Sequence, residues 1–397
     1  MNRDDFPILS KDVVYLDNGA TTLKPKVVID KMDEYYLDHT SNIHRGEYDF
    51  SIKTNSLYDD VRNKVSKFVH CEADSVIFTS GATMSLNMVV FGYMRKHLKK
   101  GDVVLLDKAE HASNILPWIK LSEEIGIKIE YIPLNKDYSL DIENIKNSYH
   151  DNVKVISISH VTNVIGDVRD VLAIGEFCHQ NNILFVVDGA QSVPHIKEDF
   201  ILSNMDFLCF SAHKMCGPTG VGVLVGKKEL LEDMEPIIYG GGMNSFFEED
   251  YSYELKKPPI RFEAGTPAIA EVIGLGRAID YLMDIGMDKI HEHEVKLKKY
   301  FLSKVNDIPN LILYNKNIES GIVTFNLDGV FAQDVAIYLN HYHICVRSGN
   351  HCTKMLKDEM NIKNTVRASF YFYNNYDDID KLVDALKQSK DIFKVVL

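Results

Sequence analysis

Between residues 75 and 188, short apolar runs alternate with amphipathic stretches, and this alternation leaves few folds open. SVIFTS, DVVLLD, IKIEYIPL, VKVISISH and ILFVVD are rich in Val and Ile and read as strands. Helical periodicity fills the gaps, as at 83–97 and 171–180. Strand and helix in alternation predict an α/β architecture: a mostly parallel sheet covered by helices on both faces. Two further runs, DFLCFS and VGVLVG, are placed to complete that sheet.

After residue 266 the texture changes. A long helical pattern spans 268–305. It is followed by GIVTFNL, AQDVAIYLN, HICVRSG and TVRASFY, and by a closing helix near 377–389. The chain of 397 residues therefore reads as a large domain, 17–267, and a small α+β C-terminal domain, 268–397, with residues 1–16 packed on the latter.

The formal net charge of −13 repels phosphate backbones and argues against a nucleic-acid partner. No apolar run reaches the roughly 18 residues of a membrane helix. The opening MNRDDFPILSKD has no apolar signal core, so a cytoplasmic protein is expected. The six cysteines show neither a CxxC pair nor Cys/His metal spacing, so free thiols and no metal site are expected.

In open α/β sheets, ligands bind at the carboxyl ends of the strands. SVIFTSGAT ends in Gly81, Ala82 and Thr83 before a helix. It is either an ordinary turn or a cradle whose free N–H groups take a phosphate. His111 follows DVVLLD, either as a surface-loop residue or as one that stacks on a flat ring or moves protons. Asp188 closes an almost wholly apolar strand and needs a partner, a cap or a protonated pyridine nitrogen; Gln191 lies three residues on. In FSAHKMCGPTGVGVLVG, Lys214 sits among small and apolar residues. It is either a lysine snorkelling from a strand end or, in a partly dry pocket, an amine nucleophile for a carbonyl. A lysine for an aldehyde, an aspartate for a pyridinium and a phosphate turn together point to pyridoxal phosphate, with Thr83, Ser211 and His213 as phosphate donors.

These residues resemble those of the class V aminotransferase-like enzymes, specifically group II cysteine desulfurases of the SufS type. The segments YLDNGATT, NIHRGE, EHASNILPW, SHVTNVIGD, VDGAQSVPH, SAHKMCGPTGVGVL, RFEAGTP, VRSGNHC and VRASFYFYN carry the resemblance over nearly the whole chain. It implies the fold type I of pyridoxal phosphate transferases. It implies a cofactor held covalently by Lys214, with Asp188 on the ring nitrogen, Gln191 on the ring hydroxyl and His111 over the ring. Thr83, Ala82, Ser211 and His213 would hold the phosphate, and Thr266 would reach the phosphate of a second subunit in a homodimer. Asn163, Arg367 and Arg347 would bind the substrate L-cysteine. Cys352 would take its sulfur as a persulfide, leaving alanine, and an adaptor protein would accept the sulfur, for example for iron–sulfur cluster assembly. Arg347 or His351 would favour the Cys352 thiolate.

The loop departs from the group II pattern: Asn350 replaces the first of two histidines, and Thr353, Lys354 and Met355 follow with no proline. Lys354 is expected to add positive charge near the thiol. Three other readings stay open. A selenocysteine lyase shares most of the same residues. A kynureninase-like hydrolase or an aminotransferase fits Lys214 but leaves VRSGNHC unexplained. A non-catalytic scaffold of a sulfur-transfer complex is disfavoured, because every recognisable cofactor position is filled.

Overall fold

The computed structural model describes residues 2–308 and 310–393. All seven apolar runs between 75 and 226 become strands of one sheet. They are β1 Val76–Thr79, β2 Val103–Asp107, β3 Lys128–Ile132, β4 Val153–Ser159, β5 Leu184–Asp188, β6 Phe207–Ser211 and β7 Gly222–Gly226. Their spatial order is β1-β7-β6-β5-β4-β2-β3. β7 runs antiparallel to both its neighbours, and the other pairings are parallel. β1 to β6 thus point the same way, and their carboxyl ends share one edge.

Side chains of a strand alternate between faces, and here both faces are covered. Ile77, Val104, Leu106, Val186, Cys209 and Leu224 belong to one core. Phe78, Val103, Leu105, Val187, Phe210 and Val223 belong to the other. The first core takes in Leu86 and Trp118, from the helices Ala82–Met88 and Leu116–Ile125. The second takes in Val28, Val61 and Ile273, from Lys26–Asp38, Asp49–Phe68 and Ile269–Ile285. Double burial is why the inner strands such as β2, β5 and β6 read as nearly continuous apolar runs, whereas the edge strand β3 keeps Lys128 and Glu130.

A four-stranded antiparallel sheet follows, in the order Leu311–Leu313, Ile322–Leu327, Thr365–Ser369, Arg347–Gly349. Arg347 lies directly across from Arg367 in its register. Val14–Tyr15 pairs in parallel with Ile344–Cys345, and Asp17 bridges to Ser369. The segment 15–22 is thereby strung between this sheet and the edge of the larger one.

Two expected elements are broken. The single helix read over 268–305 is two, Ile269–Ile285 and Met287–Lys304, joined at Gly286 with φ of 93°. Glycine adopts that value freely, which ends one helix without a polar signal in the periodicity. HICVRSG likewise divides into Ile344–Cys345, paired to the N-terminal strand, and Arg347–Gly349, paired within the four-stranded sheet.

Candidate active site

The shared carboxyl edge opens onto a cavity of about 210 Å³. Asp188 ends β5 at its floor, only 5% exposed. Its carboxylate accepts the Ala190 N–H at 2.9 Å; burial pushes its pKa up to about 6, and that amide and Lys214 pull the other way. Lys214 lines the same cavity from a short 3₁₀ turn, Ala212–Lys214, that follows β6. Burial pushes its pKa down to about 8, opposed by Asp188 and reinforced by Arg367 and Arg347. The lysine is therefore partly available as a free amine near neutral pH, which nucleophilic use requires.

Gln191 donates through Nε2 to the Gly19 carbonyl at 2.7 Å, while its Oε1 is buried with no partner among the described residues. A buried acceptor left open in a cavity wall is a place for a ligand donor. His111 faces the cavity too, its Nδ1 accepting the Ser113 N–H at 3.1 Å. Burial, then the nearby Lys214, pushes its pKa down to about 4, so the ring is neutral and suited to stacking.

At the opposite end, the Gly81 turn opens into helix Ala82–Met88, with Gly81 at φ 152°. Ser211 Oγ accepts the Ala82 N–H at 2.8 Å, and a Cβ on Gly222 would stand 2.4 Å from Gly81 Cα. The two glycines let the β1 turn lie against β7, which brings Ala82, Thr83, Ser211 and His213 around one end of the cavity. Thr83 Oγ1 bonds Ser113 Oγ at 2.8 Å, a second-row residue that the sequence reading did not single out.

Cys352 is exposed at the rim. It and His351 are consecutive non-glycine residues in the left-handed region, φ 60° and 54°. Such strain persists only where surroundings hold it. Here they do: the Cys352 carbonyl accepts the Ala112 N–H at 2.9 Å, and the His351 carbonyl accepts Asn163 Nδ2 at 2.9 Å. Thr353 Oγ1 donates to Asn163 Oδ1 at 3.1 Å. Asn163, expected on the substrate carboxylate, thus spends both side-chain ends on the cysteine loop. Arg347 Nη2 stands 3.8 Å from Cys352 Sγ.

Two expectations about the loop's charge are corrected. His351 is buried, with its pKa pushed down to about 2 by burial and neighbouring cations, so it is neutral and gives the thiol no positive charge. Lys354 pairs with Asp358 on its own helix, which offsets its charge. Of the cations expected beside the thiol, Arg347 is the one in contact with it among the described residues.

Arg367 is wholly buried behind Asn163, donating to its carbonyl at 2.7 Å, with Asp17 Oδ1 3.3 Å from Nη2. Its Nε has no partner among the described residues. Thr266 lies apart from the cavity, exposed, with its hydroxyl accepting Asn42 Nδ2 at 3.1 Å. The sequence reading missed Gly19, Asp17 and the buried group beneath the site, in which Arg169 meets Glu110 at 2.6 Å and Asp107 at 2.8 Å. The run YLDNGATT was the available signal for the first two. Among the described residues, no group of three or more His, Cys, Asp or Glu is placed to hold a metal ion.

The sequence matches the Aminotransferase class-V family over residues 14–382. A probable cysteine desulfurase of Halalkalibacterium halodurans is 41% identical, covering 98% of this chain and 97% of the relative. One from Staphylococcus aureus is also 41% identical, over 98% and 96%. The chain belongs to the cysteine desulfurases of the class-V aminotransferase family. Among solved structures, the apo cysteine desulfurase of Thermococcus onnurineus superposes with a TM-score of 0.93 at 35% identity, over 97% of this chain and 96% of that one. The Escherichia coli cysteine desulfurase CsdA, in an S-sulfonic acid form, gives 0.93 at 32%, over 98% of both. The cysteine desulfurases are pyridoxal phosphate enzymes, and the cavity fits that group. It offers a half-buried amine, a carboxylate beneath it, the open Gln191 oxygen between, and a turn of small residues opposite.

Proposed function

We propose that this enzyme converts L-cysteine to alanine and carries the sulfur away as a persulfide on Cys352, for an acceptor protein in iron–sulfur cluster assembly. The observation that supports this best is the strained, exposed cysteine held at the mouth of a cavity that carries Lys214 and Asp188 on its floor. When bound, pyridoxal phosphate supplies an aldehyde for an amine to capture and a ring that accepts an electron pair.

Lys214 anchors that group and, once freed, takes the Cα proton of the substrate on Nζ. Asp188 would hold the ring nitrogen protonated, Gln191 would meet the ring hydroxyl and His111 would stack on the ring. Thr83, Ala82, Ser211 and His213 would hold the phosphate, with Thr266 of a second subunit completing it in a homodimer. Arg367 and Arg347 orient the substrate carboxylate, and Asn163 serves mainly to hold the cysteine loop against them. The Cys352 thiolate, with Arg347 beside it, attacks the substrate sulfur. An S–S bond forms as the C–S bond breaks, and the electron pair stays with the carbon fragment, which takes a proton and leaves as alanine.

We divide the chain into a cofactor-binding domain, 17–267, and a C-terminal domain, 268–397, that brings the cysteine loop to it. A cytoplasmic location accords with the six unpaired cysteines. The test is alanine formation from L-cysteine with a reductant, in native protein and Cys352→Ala. Alanine from the native protein alone is expected. Equal alanine from both would remove Cys352 from the reaction and favour a lyase of the selenocysteine type.

A further inference from the structure

Lys24 lies outside the cavity, half-buried, just before helix Lys26–Asp38. Its Nζ donates to the His213 carbonyl at 2.8 Å, to Thr21 Oγ1 at 3.2 Å and to the Thr22 carbonyl. Those bonds use all three protons of an ammonium. Its acceptors are all neutral. Burial pushes its pKa down to about 8, with only the Cys216 thiol opposing.

The His213 oxygen is crowded. Besides Lys24 it accepts the Thr22 N–H at 3.0 Å, Thr21 Oγ1 at 2.9 Å and Thr22 Oγ1 at 3.2 Å. Thr22 Oγ1 also accepts the Cys216 N–H at 2.8 Å, so the same threonine grips the turn on both sides of Lys214. The crowded carbonyl belongs to the peptide that joins His213 to Lys214. Its orientation sets the direction in which the Lys214 side chain leaves the backbone. Stability alone does not account for a half-buried ammonium with neutral acceptors, since an apolar side chain of similar volume avoids desolvating a charge.

We propose that Lys24 is a positioning residue for the reaction: its ammonium clamps the His213–Lys214 peptide and so aims Lys214 Nζ into the cavity. The proposal rests on Lys214 as the cofactor anchor and proton acceptor. A misaimed amine slows proton transfer more than it weakens substrate binding, which involves Arg347 and Arg367 instead.

The test compares native, Lys24→Met, Lys24→Arg and Lys24→Gln holoenzymes by steady-state alanine formation, by pH titration of the bound cofactor's visible absorption and by melting temperature. Gln retains donors on a shorter arm, should Met fail to fold. In Lys24→Met, kcat is expected to fall by roughly tenfold or more with KM for L-cysteine within about threefold. The absorption midpoint should shift as well, and Lys24→Arg should restore both. A native kcat and an unshifted absorption midpoint in Lys24→Met and Lys24→Gln would overturn the proposal. So would a loss that follows melting temperature and that Arg does not restore. Borohydride fixation of the cofactor separates this from the underlying reading. Fixation in native and Lys24→Met protein but not in Lys214→Ala supports the anchor assignment, whereas fixation that persists in Lys214→Ala overturns that assignment and the clamp with it.

Discussion

Gly19 shows how a single hydrogen atom shapes the site. A Cβ there would stand 2.9 Å from Arg367 Cζ, the far end of a side chain that is wholly buried. Gly19→Ala should therefore displace the guanidinium and leave the core intact. We expect KM for L-cysteine to rise roughly tenfold with little change in melting temperature; an unchanged KM would remove Arg367 from substrate binding. Asp188 makes a thermodynamic prediction for the cofactor-free protein. Its folded pKa, about 6, lies above its usual 3.8 because burial disfavours the charge. Such a carboxylate lowers stability fully above the folded value, progressively less between the two, and not at all below the lower one. Asp188→Asn should thus stabilise the cofactor-free protein at pH 8, by up to about 3 kcal/mol, with the gain lost by pH 3 and activity abolished. Urea unfolding at the two pH values would read this directly, and a gain independent of pH would contradict it.

At the scale of elements, the floor of the site is held by Arg169, which is wholly buried beyond β4. Its guanidinium meets Glu110 and Asp107 and donates to the Ser159 carbonyl at 3.0 Å, tying the end of β2 to the end of β4. Glu110 in turn accepts the Ser159 N–H and Asn114 Nδ2, each at 2.8 Å. Removing the cation leaves three buried carboxylates, Asp107, Glu110 and Asp167, without their counter-charge. Arg169→Leu should therefore lower unfolding free energy by about 3–5 kcal/mol, measured by urea denaturation, and a loss below about 1 kcal/mol would mean that the network relaxes. None of this was legible in the sequence, because Arg169 lies 59 residues beyond Glu110 and each charge read alone looks like a surface charge. The inner strands were legible for the opposite reason: burial on both faces leaves β2, β5 and β6 almost wholly Val, Leu and Phe. Gly286, by contrast, splits a helix at a point where the apolar spacing continues unbroken.

For the whole molecule, strand ends and a distant loop meet at one cavity. Lys214, Asp188, Gln191 and His111 could be named from the sequence because each sits at a strand end whose position follows from the sheet. The partner relations of Asn163, His351 and Lys354 could not, since they depend on how the 351–353 loop docks on Ala112 and Asn163. The homodimer proposed through Thr266 predicts twice the chain mass by light scattering, and a stable monomer at micromolar concentration would contradict that proposal. The central claim is that Cys352 receives the sulfur, and it is tested most directly by intact-mass and peptide spectrometry after L-cysteine is added without reductant. The account predicts one added sulfur on the Cys352 peptide, absent in Cys352→Ala and in Lys214→Ala. Alanine formed with Cys352 unmodified, or sulfur found on another cysteine, would contradict it.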